Sequence, residues 1–254
     1  MIKYGFKIWS TDKKEMFSTA SQLFKKGQID FIELYIIPNS VNQKNGGILD
    51  ILRGVPTTIH APHSAHNFDV FWLNDSDVEL FKNQILKTAD FLGSKFIVVH
   101  AESGDSYTKF KKNIAKIKDK RILIENMPKF DMEKNICFGH SFLQLKFFKD
   151  CGFDICLDFG HATRSAVSQK IDYKEFIKKI ILELNPSYFH ICNGKLDENE
   201  DHRDLFDGEF DVKWMKNILL SLAKKKNIYL VFETPKGKNG LENDIKNINY
   251  FNSI

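Results

Sequence analysis

FIVVHAE, residues 96–102, is a short run of aromatic and β-branched residues that ends on a histidine and, two positions on, an acid. Its composition and length are those of a buried strand, and its end carries side chains of metal-ligand type. The pattern recurs along the chain. TTIHAPH (57–63) brings His60, ILIENMP (122–128) Glu125, ICLDFGH (155–161) Asp158 with His161, YFHICNG (188–194) His190, and LVFETP (230–235) Glu233. The polar segment EDHRD (200–204) adds Glu200 and His202. One histidine on a strand is usually a packed core residue. Ligand-type side chains at the ends of six successive runs need a common cause. Imidazole and carboxylate together suit zinc, manganese or iron, and charged groups brought inward need a partner that offsets their desolvation. A multinuclear metal site is the reading that explains them together.

Strands are expected at Tyr4–Trp9, Phe31–Ile37, Thr57–His60, Phe96–His100, Ile122–Glu125, Asp154–Asp158, Tyr188–Ile191 and Tyr229–Glu233. Amphipathic helices with apolar spacing of three and four fall between them. Phe17, Ala20, Leu23 and Phe24 form one stripe; Val78, Phe81, Ile85, Ala89 and Leu92 a second; Phe176, Ile180, Ile181 and Leu184 a third; Leu241, Ile245 and Ile248 the last. Helix starts are marked at Asp75–Ser76, Ser106 and Asp172, with a short helix around Ile48–Leu52 after a polar loop. Strand–helix alternation over the whole length implies an α/β protein with a parallel sheet. Eight such pairs in 254 residues imply a single-domain (β/α)8 TIM barrel over residues 1–254. In such barrels the active site lies at the C-terminal strand ends, where every candidate ligand falls.

The composition, 43% hydrophobic and 28% charged, excludes long disorder, and no apolar stretch reaches the ~20 residues of a membrane span. MIKYGFKIWS at the N-terminus lacks the apolar core of a secretory signal, so a cytoplasmic location is the expectation. Cys137, Cys151, Cys156 and Cys192 form no paired framework and read as free, mostly buried thiols. A net charge of +4 is compatible with a phosphate-bearing substrate. Lys224–Lys226 read as a solvated helix end.

HAP, VVHA, IENMP, CLDFGHA, FHICNG, EDHRDLFDGEFD and FETP, in that order, resemble the xylose-isomerase-like barrel superfamily and within it AP endonuclease family 2, the endonuclease IV branch. The resemblance implies up to three zinc ions. His60, His100 and Glu125 would hold the first, with Glu125 bridging to a second completed by Asp158, His190 and Glu233; His161, His202 and Glu200 would hold the third. Several residues depart from the endonuclease pattern. Glu200-Asp201-His202 stands where the family has Asp-x-His, and Asp201 rivals Glu200 as ligand. The glycine of LDFGH is a form associated with the superfamily's sugar isomerases and epimerases, and His63 replaces a common tyrosine. The loop PNSVNQKNGG lacks the arginine and bulky wedges of a DNA-bending loop.

Two chemistries follow. With all ligands in use, the site is a zinc phosphodiesterase acting on abasic-site DNA in repair, and this is the first-ranked expectation. The alternative is a sugar or sugar-phosphate isomerase or epimerase using Mn2+, Co2+ or Mg2+, in which Glu125 and Glu233 move protons. A non-catalytic metal-binding module ranks third. Glu125 and Glu233 are the candidate catalytic residues in either enzyme; His63, Asn67 and Glu33 are candidates for touching substrate. His140 reads as a cap or a surface residue, Trp9 as the floor of the mouth or as core, and Asn126 and Asn193 as supports for neighbouring ligands. The 23 phenylalanines read as core.

Overall fold

Parallel pairing runs unbroken from β1 through β8 and back to β1, closing a barrel. The computed structural model describes residues 1–41, 47–102, 104–197, 202–237 and 240–254. The strands are β1 (Ile2–Trp9), β2 (Phe31–Tyr35), β3 (Thr57–His60), β4 (Ile97–His100), β5 (Ile122–Glu125), β6 (Asp154–Asp158), β7 (Tyr188–Ile191) and β8 (Ile228–Phe232). Each expected strand is present, displaced by at most two residues at an end.

Period-two alternation divides the apolar residues into two separate clusters. Phe31, Val98, Leu123, Cys156, Tyr188 and Val231 point inward and pack on one another inside the barrel. Their strand neighbours, such as Ile32, Ile97, Ile124, Leu157, Phe189 and Leu230, face outward and join the helices in the larger core. Gly5 makes room for the inner cluster, since a Cβ there would meet the Phe31 ring at 2.8 Å.

Helices fill most of the crossovers. These are α1 (Lys14–Lys25), α2 (Asp75–Leu80) and α3 (Lys87–Leu92) joined through a π-helical stretch at Phe81–Leu86, α4 (Tyr107–Ile114), α5 (Phe142–Asp150), α6 (Phe159–Ser168), α7 (Tyr173–Leu184), α8 (Val212–Ala223) and α9 (Glu242–Ser253). The expected stripes are the buried ones: Phe17 and Ala20 on α1, and Phe176, Ile180, Ile181 and Leu184 on α7. Ser106 and Asp172 cap their helices as expected. Asn74, one residue before the expected start, caps α2 in a reciprocal box with Asp77. After β2 the described crossover holds only a 3-10 turn at Ile48–Leu52, so the second repeat lacks a full α-helix among the described residues. Leu241 precedes α9, and its stripe begins at Ile245.

Candidate metal centre

Inward alternation at the C-terminal rim delivers one chemistry-bearing side chain per strand. They are Lys7 from β1, Glu33 from β2, His60 from β3, His100 from β4, Glu125 from β5, Asp158 from β6, His190 from β7, and Glu233 immediately after β8. Glu33, Glu125, Asp158 and His190 have no exposed surface.

Glu125 is the hub. Its Oε2 lies 3.3 Å from His60 Nε2 and 3.2 Å from His100 Nε2. Its Oε1 lies 3.3 Å from His190 Nδ1 and 3.3 Å from His161 Nδ1. Neighbouring groups fix these rings. His60 Nδ1 sits 2.8 Å from the Ala61 carbonyl, which turns Nε2 toward Glu125. His161 Nδ1 is 2.9 Å from the Asn126 carbonyl. On the far side of His190, Nε2 meets Glu33 Oε2 at 3.0 Å, a carboxylate–imidazole pair of the kind that orients metal ligands. Tyr188 donates to the same oxygen at 2.8 Å.

Asp158 explains the order of its local sequence. Its Oδ1 caps α6 by accepting from the His161 backbone N–H at 2.5 Å, so strand end, cap and histidine lie within one turn. Asn126 clamps the Asp158 backbone from both sides, donating to its carbonyl and accepting from its N–H. Gly160 is required by close approach: a Cβ there would meet Cys192 Sγ at 2.7 Å and Arg164 Nη1 at 2.8 Å. The glycine of LDFGH therefore has a packing cause in this chain.

Among the described residues, five groups of ligand atoms each lie within 4.8 Å of one another, including Glu125–Asp158–His190–Glu233, His60–His100–Glu125 and His63–His100–Glu102. The fit to a cation is direct. Asp158 Oδ2 is buried with no hydrogen-bond partner, and it faces a group that already holds two further carboxylates. Burying such a set without a cation is costly. Burial works to raise the Glu125 and Glu233 carboxyls, but the surrounding charges, His190 foremost, hold both well below the usual range. His190 and Lys7 likewise overcome burial at Glu33 and hold it at about 2. Burial opposes the charge on His100, yet Glu125 and Glu102 raise it to about 9, while burial lowers His63 to about 3.

A cavity of about 410 Å³ opens above this cluster, walled by Lys7, Trp9, Tyr35, His63, Glu233 and Lys236. His60, His100, His161 and His202 also line it. His202 Nδ1 lies 3.2 Å from the Glu233 carbonyl. Three other residues singled out in the sequence lie elsewhere. Asn67 is exposed, with φ 58° at the end of a 3-10 turn, and does not line the cavity. Glu33 does not line the cavity; it salt-bridges within the barrel to Lys7 and His190 and forms a ligand group with His60, His190 and Glu233. Asn193 holds the loop after β7 by bonding to Leu205 and Phe210, rather than supporting a ligand. Glu200 and Asp201 are outside the described residues, and no ligand group forms around His161 and His202 among the described residues.

Lys7 and Lys236 were not legible as site residues, and Glu102, visible at the end of FIVVHAE, had no role assigned to it. Parity carried the signal for Lys7, which is two positions before Trp9 on the same strand and so shares its inward face.

The profile of the xylose isomerase-like TIM barrel family matches residues 51–251. Among solved structures, a D-tagatose 3-epimerase-like protein has a TM-score of 0.70 at 17% identity, covering 99% of this chain and 96% of its own. An L-ribulose 3-epimerase has a TM-score of 0.63 at 15% identity, covering 100% and 87%. A xylose isomerase domain protein from Alicyclobacillus acidocaldarius has a TM-score of 0.66 at 11% identity, covering 100% and 98%. At these identities the likeness establishes the fold. No curated protein matches the chain.

Proposed function

The chain belongs to the xylose isomerase-like TIM barrel family, and on that premise we propose that it is a divalent-metal-dependent isomerase or epimerase of a small sugar or sugar derivative. The observation that carries this reading is the quartet Glu125–Asp158–His190–Glu233, with its unpartnered Asp158 oxygen, at the base of a cavity of about 410 Å³. Three carboxylates and one imidazole suit Mn2+, Co2+ or Mg2+. Such an ion would polarise a hydroxy-carbonyl pair of the substrate and so acidify the hydrogen between them.

The chain's own residues then divide the remaining work. To Glu125 and Glu233, 3.3 and 3.0 Å from His190 Nδ1, we assign the uptake and return of a proton at carbon; Glu233 lines the cavity. Asp158, rigidly held as the cap of α6, and His190, oriented by Glu33, complete the quartet. Trp9 and Tyr35 offer aromatic faces to the apolar side of a sugar ring. The sugar enzymes among the structural neighbours support the same reading. With this support we rank the isomerase or epimerase above the zinc phosphodiesterase that stood first from sequence.

A phosphodiesterase acting on abasic-site DNA is the second reading, favoured by His60–His100–Glu125, a further ligand group that shares Glu125 with the quartet. One experiment separates them. Protein loaded in turn with Mn2+, Co2+, Mg2+ and Zn2+ is incubated with ketoses and their phosphates in D2O, and with a duplex carrying one abasic site. Isomerised sugar carrying solvent deuterium is the expected result. Nicking of the duplex without any sugar turnover would replace the isomerase with the phosphodiesterase.

A further inference from the structure

Lys7 stands apart in the mouth. It sits on the inward face of β1, paired in register with Glu33, on the side of the barrel opposite β5 and its Glu125. Its Nζ lies 3.3 Å from Glu33 Oε1 and forms a second ion pair with Glu233 Oε1. An ammonium has three N–H donors. Its contacts with these carboxylates are ion pairs, and among the described residues no further acceptor is paired with it. The side chain retains 12% exposure and lines the cavity, whereas Glu33 beneath it has none. A counter-ion needed only to neutralise Glu33 would have no reason to reach the cavity wall. The other lysine lining the cavity, Lys236, is paired with the buried Asp244 and lies over the rings of Phe6 and Trp9. Lys7, ion-paired with Glu233, is the lysine of the cavity wall that touches the quartet among the described residues.

We propose that Lys7 is a catalytic residue whose ammonium donates a hydrogen bond to the substrate oxygen that becomes negative as a proton leaves the adjacent carbon. The inference rests on the isomerase or epimerase reading. In the step, the carbon–hydrogen bond next to the carbonyl breaks and its proton passes to a carboxylate. The electron pair forms a carbon–carbon double bond, and the carbonyl π electrons move to oxygen. Lys7 keeps its proton throughout, and its hydrogen bond strengthens as the oxygen gains charge. Return of the proton to carbon reverses the electron flow. A donor fixed in place before the reaction is the arrangement that favours the charged state over the substrate.

The test uses the metal-loaded full chain and the variants Lys7→Met and Lys7→Gln. Lys7→Gln keeps a donor toward Glu33 and serves if Lys7→Met does not fold. Three quantities are read: kcat and KM on the sugar that the wild type turns over, metal content, and calorimetric binding of two unreactive probes. One probe is a sugar-acid hydroxamate, a planar anion resembling the charged state; the other is the matching neutral alditol. The expected result is a kcat loss of ~100-fold or more, with KM changed less than about threefold and metal content unchanged. Hydroxamate binding should weaken while alditol binding persists. Unchanged kcat, equal loss of both probes, or loss of the metal overturns the assignment to Lys7 while leaving the isomerase standing. A wild type that turns over no sugar and binds neither probe removes both.

Discussion

Glu125 decides the site because it is shared. Two imidazoles approach each of its oxygens, and it belongs to both the His60–His100 group and the Asp158–His190–Glu233 group. Glu125→Gln should therefore lower bound metal and activity together. His202→Ala should cost less, since His202 is 31% exposed and joins no ligand group among the described residues. Elemental analysis of the two purified variants tests this, and equal metal in Glu125→Gln and wild type would remove Glu125 from the ligands. Glu33 acts at one remove. By holding His190 Nε2 it leaves Nδ1 toward the candidate ligand group, and Glu33→Gln should weaken metal affinity ~10–100-fold in a competition titration. At this scale the ligands were legible because histidine and acid at successive strand ends are rare without a purpose. Lys7 was not, because a lysine within an eight-residue strand reads as solvated until closure of the barrel shows which way it points. Glu102 was visible beside His100 but their contact was not: it reaches His100 Nδ1 at 3.4 Å from a backbone with φ 59°, which strand periodicity does not describe.

Among the elements, the strands were readable almost to the residue, because inward and outward sides are both apolar and the runs end in polar rim residues. Helix limits depended on caps, and Asn74 displaced Asp75 because its side chain accepts from the Asp77 N–H while its own N–H is bonded in return. The N-terminus of α6 bears most directly on chemistry. Gly160→Ala would press a methyl group onto Cys192 and Arg164, shifting the turn that carries Asp158 and His161. A loss of ~1–3 kcal/mol in urea unfolding is expected, with reduced metal content; full stability would show that the turn relaxes freely. The 3-10 turn Val70–Trp72 supplies a pH dependence. Burial raises its cap, Asp69, from 3.8 to about 7. The folded chain thus holds a proton that the unfolded chain has released, so this contribution to stability is full below 3.8 and is lost as pH rises toward 7. Asp69→Asn keeps an acceptor for the Phe71 N–H, bonded at 2.7 Å, without the ionisation. Its melting temperature should exceed that of the wild type near pH 8 and match it near pH 4. A parallel pair of pH curves would acquit Asp69.

The whole barrel gathers Glu33, Glu102, Glu125, Asp158 and Glu233, all nearly inaccessible to solvent, at one end of a closed sheet. That a closed barrel forms was legible from strand count and spacing. The choice between its two chemistries was not, because the quartet and the histidine group share Glu125, and a residue pattern records candidate ligands without the cavity in which they work. If a cation occupies the candidate centre, the same gathering should make stability depend on it. Lys7 and the imidazoles offset part of the negative charge, and the unpartnered Asp158 oxygen marks where offset is incomplete. A cation that binds the folded chain alone stabilises it by ~2.7 kcal/mol at a free concentration a hundredfold above Kd. For a chain of this size each kcal/mol moves the melting temperature by ~2–4 °C. Removing metal with a chelator should thus lower Tm by ~5–10 °C. Acid should act in the same direction, because protons compete with the ion for imidazole and carboxylate, so the gap between loaded and stripped protein should narrow as pH falls from about 7.5 to about 5. Thermal scans with and without chelator at both pH values measure the gap. A melting temperature indifferent to chelator and to added Mn2+, Co2+, Mg2+ and Zn2+ would mean that the buried acids are balanced within the chain, and the metal centre would fall with it.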